Sequence, residues 1–401
     1  MAGRPRLAIV TSHPIQYNAP LFRLLAERRQ LDVRVFYGWE GASGSGAYDR
    51  TFGQVFAWDI PLLDGYAYEF VGNRSSDPGT HHFGGLDSPD LVPRIQTFRP
   101  DAVLVYGWAS RSHLRVLRAF HGRTPVLFRG DSTLLDETPG LRRAARRIAL
   151  RWVYRHVDSA LYVGTQNRAY YRAHGLSESQ LVWAPHAVDN ARFKDLDGTD
   201  QARARAWQSK LGIPDDAPTF VFVGKLESKK SPGILLDAFL GLGIPDAHLV
   251  FVGSGPLEVL LRKQAAGAPG RIHFVGFQNQ SQMPVAYRLG DVLVLPSQGP
   301  GETWGLAVNE AMACGRLCVV SDHVGCAPDL IVEGKTGHVV PAGVVGPLRD
   351  VLARLSADPA GRARMGVNAL AHLGRWTLEQ QADVIEAQTA AARDRPTRTA
   401  G

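Results

Sequence analysis

Two acids, Glu302 and Glu310, stand with seven residues between them in the stretch Pro296-Ser297-Gln298-Gly299-Pro300-Gly301-Glu302-Thr303-Trp304-Gly305-Leu306-Ala307-Val308-Asn309-Glu310. The apolar run Asp291-Val292-Leu293-Val294-Leu295 precedes them, and a small-residue helical stretch ending near Gly315 follows. Strand, Gly-rich loop, acid, helix start and second acid together suit a ligand that is anionic at one end and hydroxylated at the other. Loop amides and a helix N-terminus attract phosphate. Each carboxylate accepts hydrogen bonds from a vicinal pair of hydroxyls. A nucleotide sugar has both features. The plain alternative is two solvated acids on either side of a turn.

A second cluster lies upstream, in Phe220-Val221-Phe222-Val223-Gly224-Lys225-Leu226-Glu227-Ser228-Lys229-Lys230. Only seven of the 45 basic residues are lysine, and three of those seven fall between Lys225 and Lys230. Compact positive charge just past a buried strand suits a diphosphate. Lys225 and Lys230 are the candidates, and Lys229 reads as a solvated neighbour. A third stretch, Val250-Phe251-Val252-Gly253-Ser254-Gly255-Pro256-Leu257-Glu258, is a strand running into a Gly-x-Gly turn. Glu258 occupies the third glycine position of a dinucleotide fingerprint, which weakens an oxidoreductase reading.

These residues need a scaffold. A chain of 401 residues has room for two domains. A composition of 45% hydrophobic and 21% charged residues describes a globular protein with ample core. Apolar runs alternate with helical patterns throughout, which predicts an α/β fold with parallel sheets covered on both faces. The first series of strands is expected at Leu7–Val10, Asp32–Tyr37, Ala102–Tyr106, Pro125–Arg129, Ser159–Val163 and Leu181–Ala184. Helices are expected at Pro20–Arg29 and Leu141–His156. The polar stretch from Asp189 to Asp216 reads as the connection between domains, with a short helix at Ala202–Leu211. The second series covers Phe220–Gly224, His248–Val252, Arg271–Val275, Asp291–Leu295 and Leu317–Val320. Gly41–Gly46 reads as a mobile loop, and Arg395–Gly401 as a disordered tail.

No run of about 18 apolar residues suggests a membrane span, and Leu7-Ala8-Ile9-Val10 is too short for a signal-peptide core. The odd, clustered set Cys314, Cys318 and Cys326 suits a reducing cytoplasm. Cys318, His323 and Cys326 match no standard zinc spacing, so buried structural thiols are expected. Asp195-Leu196-Asp197 has an Asp-x-Asp pattern but sits in the polar stretch and not after a buried strand, so no metal site is expected there. The helix Leu141–His156 carries six arginines, which fits either a solvated face or an interfacial helix on anionic lipid.

The acidic stretch and the lysine pair together resemble retaining glycosyltransferases of the GT-B fold, in the large family often numbered four, the glycosyl transferases group 1. The resemblance covers most of the chain and is strongest from about Thr219 to Val340. It implies two Rossmann-like doubly wound domains facing a cleft: residues 1–190 on the acceptor side, 191–370 for the nucleotide sugar, and 371–401 as a helix crossing back to the first domain, followed by the tail. It also implies roles. Lys225 and Lys230 hold the leaving diphosphate, and Glu302 faces the donor sugar and the charge developing at its anomeric carbon. Glu310 holds the ribose hydroxyls, and Gly305 and Leu306 offer amides to the distal phosphate. Gly224, Gly253 and Phe277 lie beside the nucleotide. Thr303 and Trp304 replace the commonest Gly-Phe pair at the sugar pocket.

The first half departs from the family. Its first loop, Thr11-Ser12-His13-Pro14-Ile15-Gln16-Tyr17-Asn18, lacks the usual two glycines, and His13 becomes a candidate for acceptor or phosphate. Trp108 is expected on the acceptor side. Relatives carry a His near the strand at Pro125–Phe128, where this chain has Arg129-Gly130-Asp131; Arg129 or Asp131 then stands in for it. The expected activity is retaining, metal-independent transfer from a nucleotide-diphosphate sugar, UDP-sugar favoured and GDP-sugar next, to a saccharide, lipid-linked saccharide or natural-product acceptor. The donor is a co-substrate and no further cofactor or nucleic acid is implied. The alternatives are a sugar-nucleotide epimerase or hydrolase on the same fold, and a non-catalytic nucleotide-sugar-binding subunit.

Overall fold

The computed structural model describes residues 3–41, 48–49, 54–55 and 58–394. The loop expected at Gly41–Gly46, beyond Gly41, and the tail Arg395–Gly401 lie outside the described residues. The chain divides into two compact units, Met1–His186 with Leu378–Gly401, and Ala187–Thr377.

The first unit is built on β1 (Arg6–Thr11), β2 (Asp32–Tyr37), β5 (Ala67–Phe70), β6 (Ala102–Tyr106), β7 (Val126–Arg129), β8 (Ser159–Tyr162) and β9 (Leu181–Trp183), with β3 (Tyr48–Asp49) and β4 (Gln54–Val55) forming a separate antiparallel pair. The main sheet runs β5-β2-β1-β6-β7-β8-β9 with every neighbouring pair parallel. Its central strands are apolar along their whole length because both faces are covered by helices. Ala8, Val10, Val103, Val105 and Phe128 pack there with Ile95, Leu117 and Leu150 from the helices. β5 was not anticipated from sequence. It is an edge strand, Ala-Tyr-Glu-Phe, with Ala67 and Tyr68 exposed, so it lacks the continuous apolar signal. The helix Leu378–Arg393 packs in this unit, where Arg28 of the helix Ala19–Arg28 reaches Asp383 at 2.5 Å and Glu386 at 3.3 Å.

The second unit carries β10 (Thr219–Val223), β11 (His248–Val252), β12 (Ile272–Phe274), β13 (Val292–Leu295), β14 (Leu317–Ser321) and β15 (Gly337–Val340), in the order β12-β11-β10-β13-β14-β15 and parallel throughout. The stretch from Asp189 to Asp216, read as the connection between domains with a short helix at Ala202–Leu211, is folded into this unit as helices Asn190–Phe193 and Thr199–Leu211, the second of which contains the expected helix. Hydrogen bonds to the segment around Arg288 hold it there. Arg288 donates to Phe193 O at 2.7 Å, and Gln208 donates to Leu289 O at 3.1 Å.

In both sheets the strand order reverses beside the first strand. β1 has β2 on one side and β6 on the other, and β10 has β11 and β13. Loops leaving the carboxyl ends of two such strands diverge, which opens a crevice between them.

Candidate functional site

The crevice of the second unit collects the charged candidates. β10 leads to Gly224 and the lysine loop, and β13 leads to Pro296–Gly305, with Val221 and Leu293 paired in register between the two strands. The Gly-x-Gly turn after β11 braces the lysine loop backbone to backbone. A Cβ on Gly253 would lie 2.0 Å from Gly224 O, and one on Gly255 would lie 2.6 Å from Leu226 O. That closeness allows Gly224 N to donate to Val252 O at 3.0 Å and Leu226 N to Ser254 O at 3.0 Å. Lys225 is half-buried at the head of this loop, and a single helical turn, Ser228–Lys230, carries Lys230.

The Lys230 ammonium pairs with the Glu302 carboxylate, which also accepts from Ser297 Oγ at 2.9 Å. Both charges are largely removed from water, with Glu302 only 7% exposed. The acid loop is pinned on two sides. Gln298 N donates to Lys229 O at 3.0 Å, Gly325 N to Glu302 O at 3.1 Å, and Cys326 N to Trp304 O at 2.9 Å. A side chain on Gly325 would strike Thr303 O at 1.7 Å, so only glycine lets that backing segment come so close. Gly305 has φ +94° and ends the loop, and the helix Leu306–Ala313 starts beside Glu302 with its first amides unpaired within the helix.

Glu310 lies inside that helix and is buried. Tyr287 donates to its Oε2 at 2.5 Å, and the Arg192 guanidinium stands 3.8 Å from its Oε1. Arg192 is steered by Gln280 Oε1 at 2.8 Å and by stacking 4.6 Å from the Phe193 ring centre. Trp304 is buried too, its indole N–H donating to Asn309 Oδ1 at 2.8 Å, so its ring locks the start of the helix. Thr303, Leu306 and Phe277 are half-buried. Sequence reasoning did not single out Tyr287, Arg192 or Ser297. Ser297 could have been suspected from its place just after β13; Tyr287 and Arg192 carry no local signal.

The crevice of the first unit holds a different set. His13 Nδ1 sits 2.9 Å from Ser12 Oγ, and its ring centre is 5.4 Å from that of Trp39. Trp108 is half-buried against the core. Beneath them His113 is buried with Nδ1 3.2 Å from Gly107 O; burial pushes its pKa down to about 4 against the partly opposing effect of nearby carbonyls. Arg129 is buried and donates to Ala184 O at 2.9 Å and Pro185 O at 3.0 Å. Its guanidinium therefore braces the segment after β9, and Asp131 is left as the half-buried acid beside it. His186, on that same segment, feels both charges, and burial followed by Arg129 pushes its pKa down to about 4. An imidazole thus does stand near Arg129 and Asp131, contributed by the segment after β9 and not by β7.

The remaining sequence candidates take structural parts. Asp195 accepts from the backbone of Asp200 at 3.1 Å and Gln201 at 2.8 Å, and Asp197 accepts from Thr199 N at 3.0 Å, so both carboxylates cap the helix Thr199–Leu211. The three thiols are buried, and burial pushes Cys314 up to about 12. The arginine helix spans Leu141–Tyr154 and exposes Leu141, Ile148 and Trp152 together with its arginines. Among the described residues no helix is long and apolar enough to cross a membrane.

Two parallel doubly wound units with charged loops at the second switch point define a GT-B fold. Residues 204–372 match the sequence model of the glycosyl transferases group 1. A Corynebacterium glutamicum GDP-mannose-dependent monoacylated alpha-(1-6)-phosphatidylinositol monomannoside mannosyltransferase is 29% identical over 397 residues, spanning 94% of this chain and 96% of that protein. A D-inositol 3-phosphate glycosyltransferase of Streptomyces bingchenggensis is 32% identical over 69% of this chain, which spans 62% of that protein's length. The fold is shared with the crystal structure of Anabaena Alr3699/HepE in complex with UDP and glucose, at a TM-score of 0.71 and 18% identity, covering 96% of this chain and 100% of that one.

Proposed function

We propose that this glycosyltransferase takes its sugar from a nucleoside-diphosphate sugar and transfers it with retention and without a metal ion. The observation that carries the reading is the buried Lys230–Glu302 pair at the crevice between β10 and β13, beside the start of the helix Leu306–Ala313. Lys230, Lys225 and the amides of Gly305 and Leu306 neutralise the diphosphate as it departs, an electrostatic contribution that is often the largest in such reactions. Glu302 faces the sugar and stabilises positive charge at the anomeric carbon. Glu310, oriented by Tyr287, takes the ribose hydroxyls. Gly224, Gly253 and Phe277 border the nucleotide, and Thr303 lines the sugar side. The acceptor proton leaves to the departing phosphate on the same face, so configuration is kept.

His13, Trp108 and Asp131 form the acceptor side, with Arg129 holding His186 beside them. A GDP-sugar is the first donor to test, because the relative that aligns almost end to end is named for GDP-mannose; a UDP-sugar, favoured by sequence, comes second. Inositol-bearing and lipid-linked saccharides are the first acceptors. The face of Leu141, Ile148 and Trp152 with its arginines fits peripheral contact with anionic lipid. A thermal-shift screen against GDP, UDP, ADP and TDP and their common sugar conjugates tests the donor, since native-state binding raises the melting temperature with the logarithm of ligand over Kd. No shift with any of them overturns the reading. Sugar released or epimerised with no acceptor present would favour a hydrolase or epimerase.

A further inference from the structure

We propose that Asp77, His81 and His82 form a zinc site on the segment between β5 and the helix Leu91–Phe98 of the first unit. His81 Nε2 lies 2.8 Å from Asp77 Oδ2, and His82 Nε2 lies 3.6 Å from the same oxygen. One ligand atom from each residue falls within 4.8 Å of the other two. Tetrahedral zinc, with bonds of 2.0–2.2 Å, spaces its ligand atoms about 3.3 Å apart. The two measured separations bracket that value, so small rotations of two imidazoles complete the arrangement.

The segment is already shaped to hold it. Asn73 Oδ1 accepts from Ser75 N at 3.0 Å and from Asp87 N at 2.9 Å, while its amide donates to Gly85 O at 2.9 Å. Gly79 N donates to Gly85 O at 3.1 Å. A Cβ on Gly85 would lie 2.2 Å from Gly79 O, and one on Gly79 would lie 2.6 Å from His81 Nδ1. The two glycines therefore let the turn close with the His81 ring folded over it. Asp87 is anchored in turn by Arg111 at 2.6 Å and Arg115 at 2.5 Å.

The ligand set selects the ion. Two imidazoles and one carboxylate suit zinc and its borderline neighbours, whereas magnesium and calcium seek oxygen ligands alone. Each imidazole would bind neutral, its proton on Nδ1, with Nε2 turned from its present oxygen partner to the metal. The three side chains are about half exposed, so the fourth position is open to water or an anionic group. A Cβ on Gly38 would meet Leu86 and Ser88, at the end of the same segment, at 3.7 and 3.8 Å and the Ser12 carbonyl at 3.9 Å, so that segment and the loop carrying His13 both border Gly38. An ion here would stiffen the support of the loop that carries His13.

The full-length protein, freed of metal by chelator and dialysis, is titrated with zinc against a chromophoric chelator. One equivalent is expected in the wild type, with no competition from magnesium or calcium. The double variant His81→Ala/His82→Ala should lose that equivalent, and Asp77→Asn should weaken it at least about tenfold. A measurement that needs no variant is carbethoxylation followed by peptide mapping, in which zinc should protect His81 and His82. Absence of a stoichiometric zinc, retention of it by the double variant, or unprotected His81 and His82 at saturating zinc each overturns the proposal.

Discussion

The crevice between β10 and β13 and the crevice between β1 and β6 arise from the same topology, yet they are furnished with opposite chemistry. The first holds Lys230 against Glu302, with Lys225 nearby and a helix start at Gly305. The second holds His13 against Trp39, with Trp108 and a buried neutral His113. The glycines differ as well. Gly224, Gly253, Gly255 and Gly325 draw backbone onto backbone around the charged loops, whereas the loop Thr11–Asn18 contains no glycine. Strand order determines where a ligand can enter, and the loop residues determine what kind of ligand that is.

The largest effect that would break this contrast is in Lys230. Lys230→Ala should remove roughly 2–4 kcal/mol of transition-state stabilisation, on the order of 30- to 1000-fold in kcat/KM, with the fold intact by circular dichroism. His13→Ala should leave nucleotide affinity unchanged and raise the KM for acceptor. Wild-type turnover in Lys230→Ala, or lost nucleotide affinity in His13→Ala, would mean that the two crevices have been assigned the wrong partners.

The next effect is acid sensitivity centred on the crevice between β1 and β6. The folded pKa of His113 is depressed to about 4 from an ordinary value near 6.5. Its contribution to stability is thus present above pH 6.5 and lost as the pH falls towards 4, by at most about 3 kcal/mol. Histidine NMR should find His113 still neutral at pH 5.5, and the melting temperature of His113→Asn should depend less on pH across this window. A His113 signal titrating near 6.5 contradicts its burial.

A sharper division lies within the charged crevice. Glu310→Ala should weaken the bare nucleoside diphosphate by roughly 1.5–3 kcal/mol, about 10- to 150-fold in Kd, because its partner is the ribose. Glu302→Ala should leave that Kd nearly unchanged and lower turnover. Calorimetry with the diphosphate and with the intact nucleotide sugar separates the two, and equal losses for bare diphosphate would remove the division of roles. The smallest expected effect is that of a chelator. Asp195 and Asp197 are occupied in capping Thr199–Leu211, so transfer should persist in EDTA. Complete loss restored by manganese would make them ligands after all.

Much of this was legible along the chain because it is local. Strands buried on both faces, such as Phe220–Val223 and Ala102–Tyr106, read as unbroken apolar runs, and alternation with helices implied two parallel sheets. The lysine loop and the spacing of Glu302 and Glu310 are also contiguous features, and the charged crevice was recognisable from them. The edge strands Ala67–Phe70 and Gly337–Val340 escaped because half-exposed edges mix polar with apolar residues.

Tertiary structure alone decided which distant groups meet. Tyr287 reaches Glu310 across 23 residues, Lys230 reaches Glu302 across 72, and Arg129 reaches the Ala184 and Pro185 carbonyls from a different strand. It also turned Trp304 inward, turned the Asp195–Asp197 pair into helix caps, and brought His186 to the neighbourhood where a histidine had been sought on β7. The physical reason is one of range. Period, turn chemistry and composition act over a few residues and are written in order along the chain. Burial and the pairing of charges depend on which surfaces the folded sheets bring together, and no local stretch carries that information.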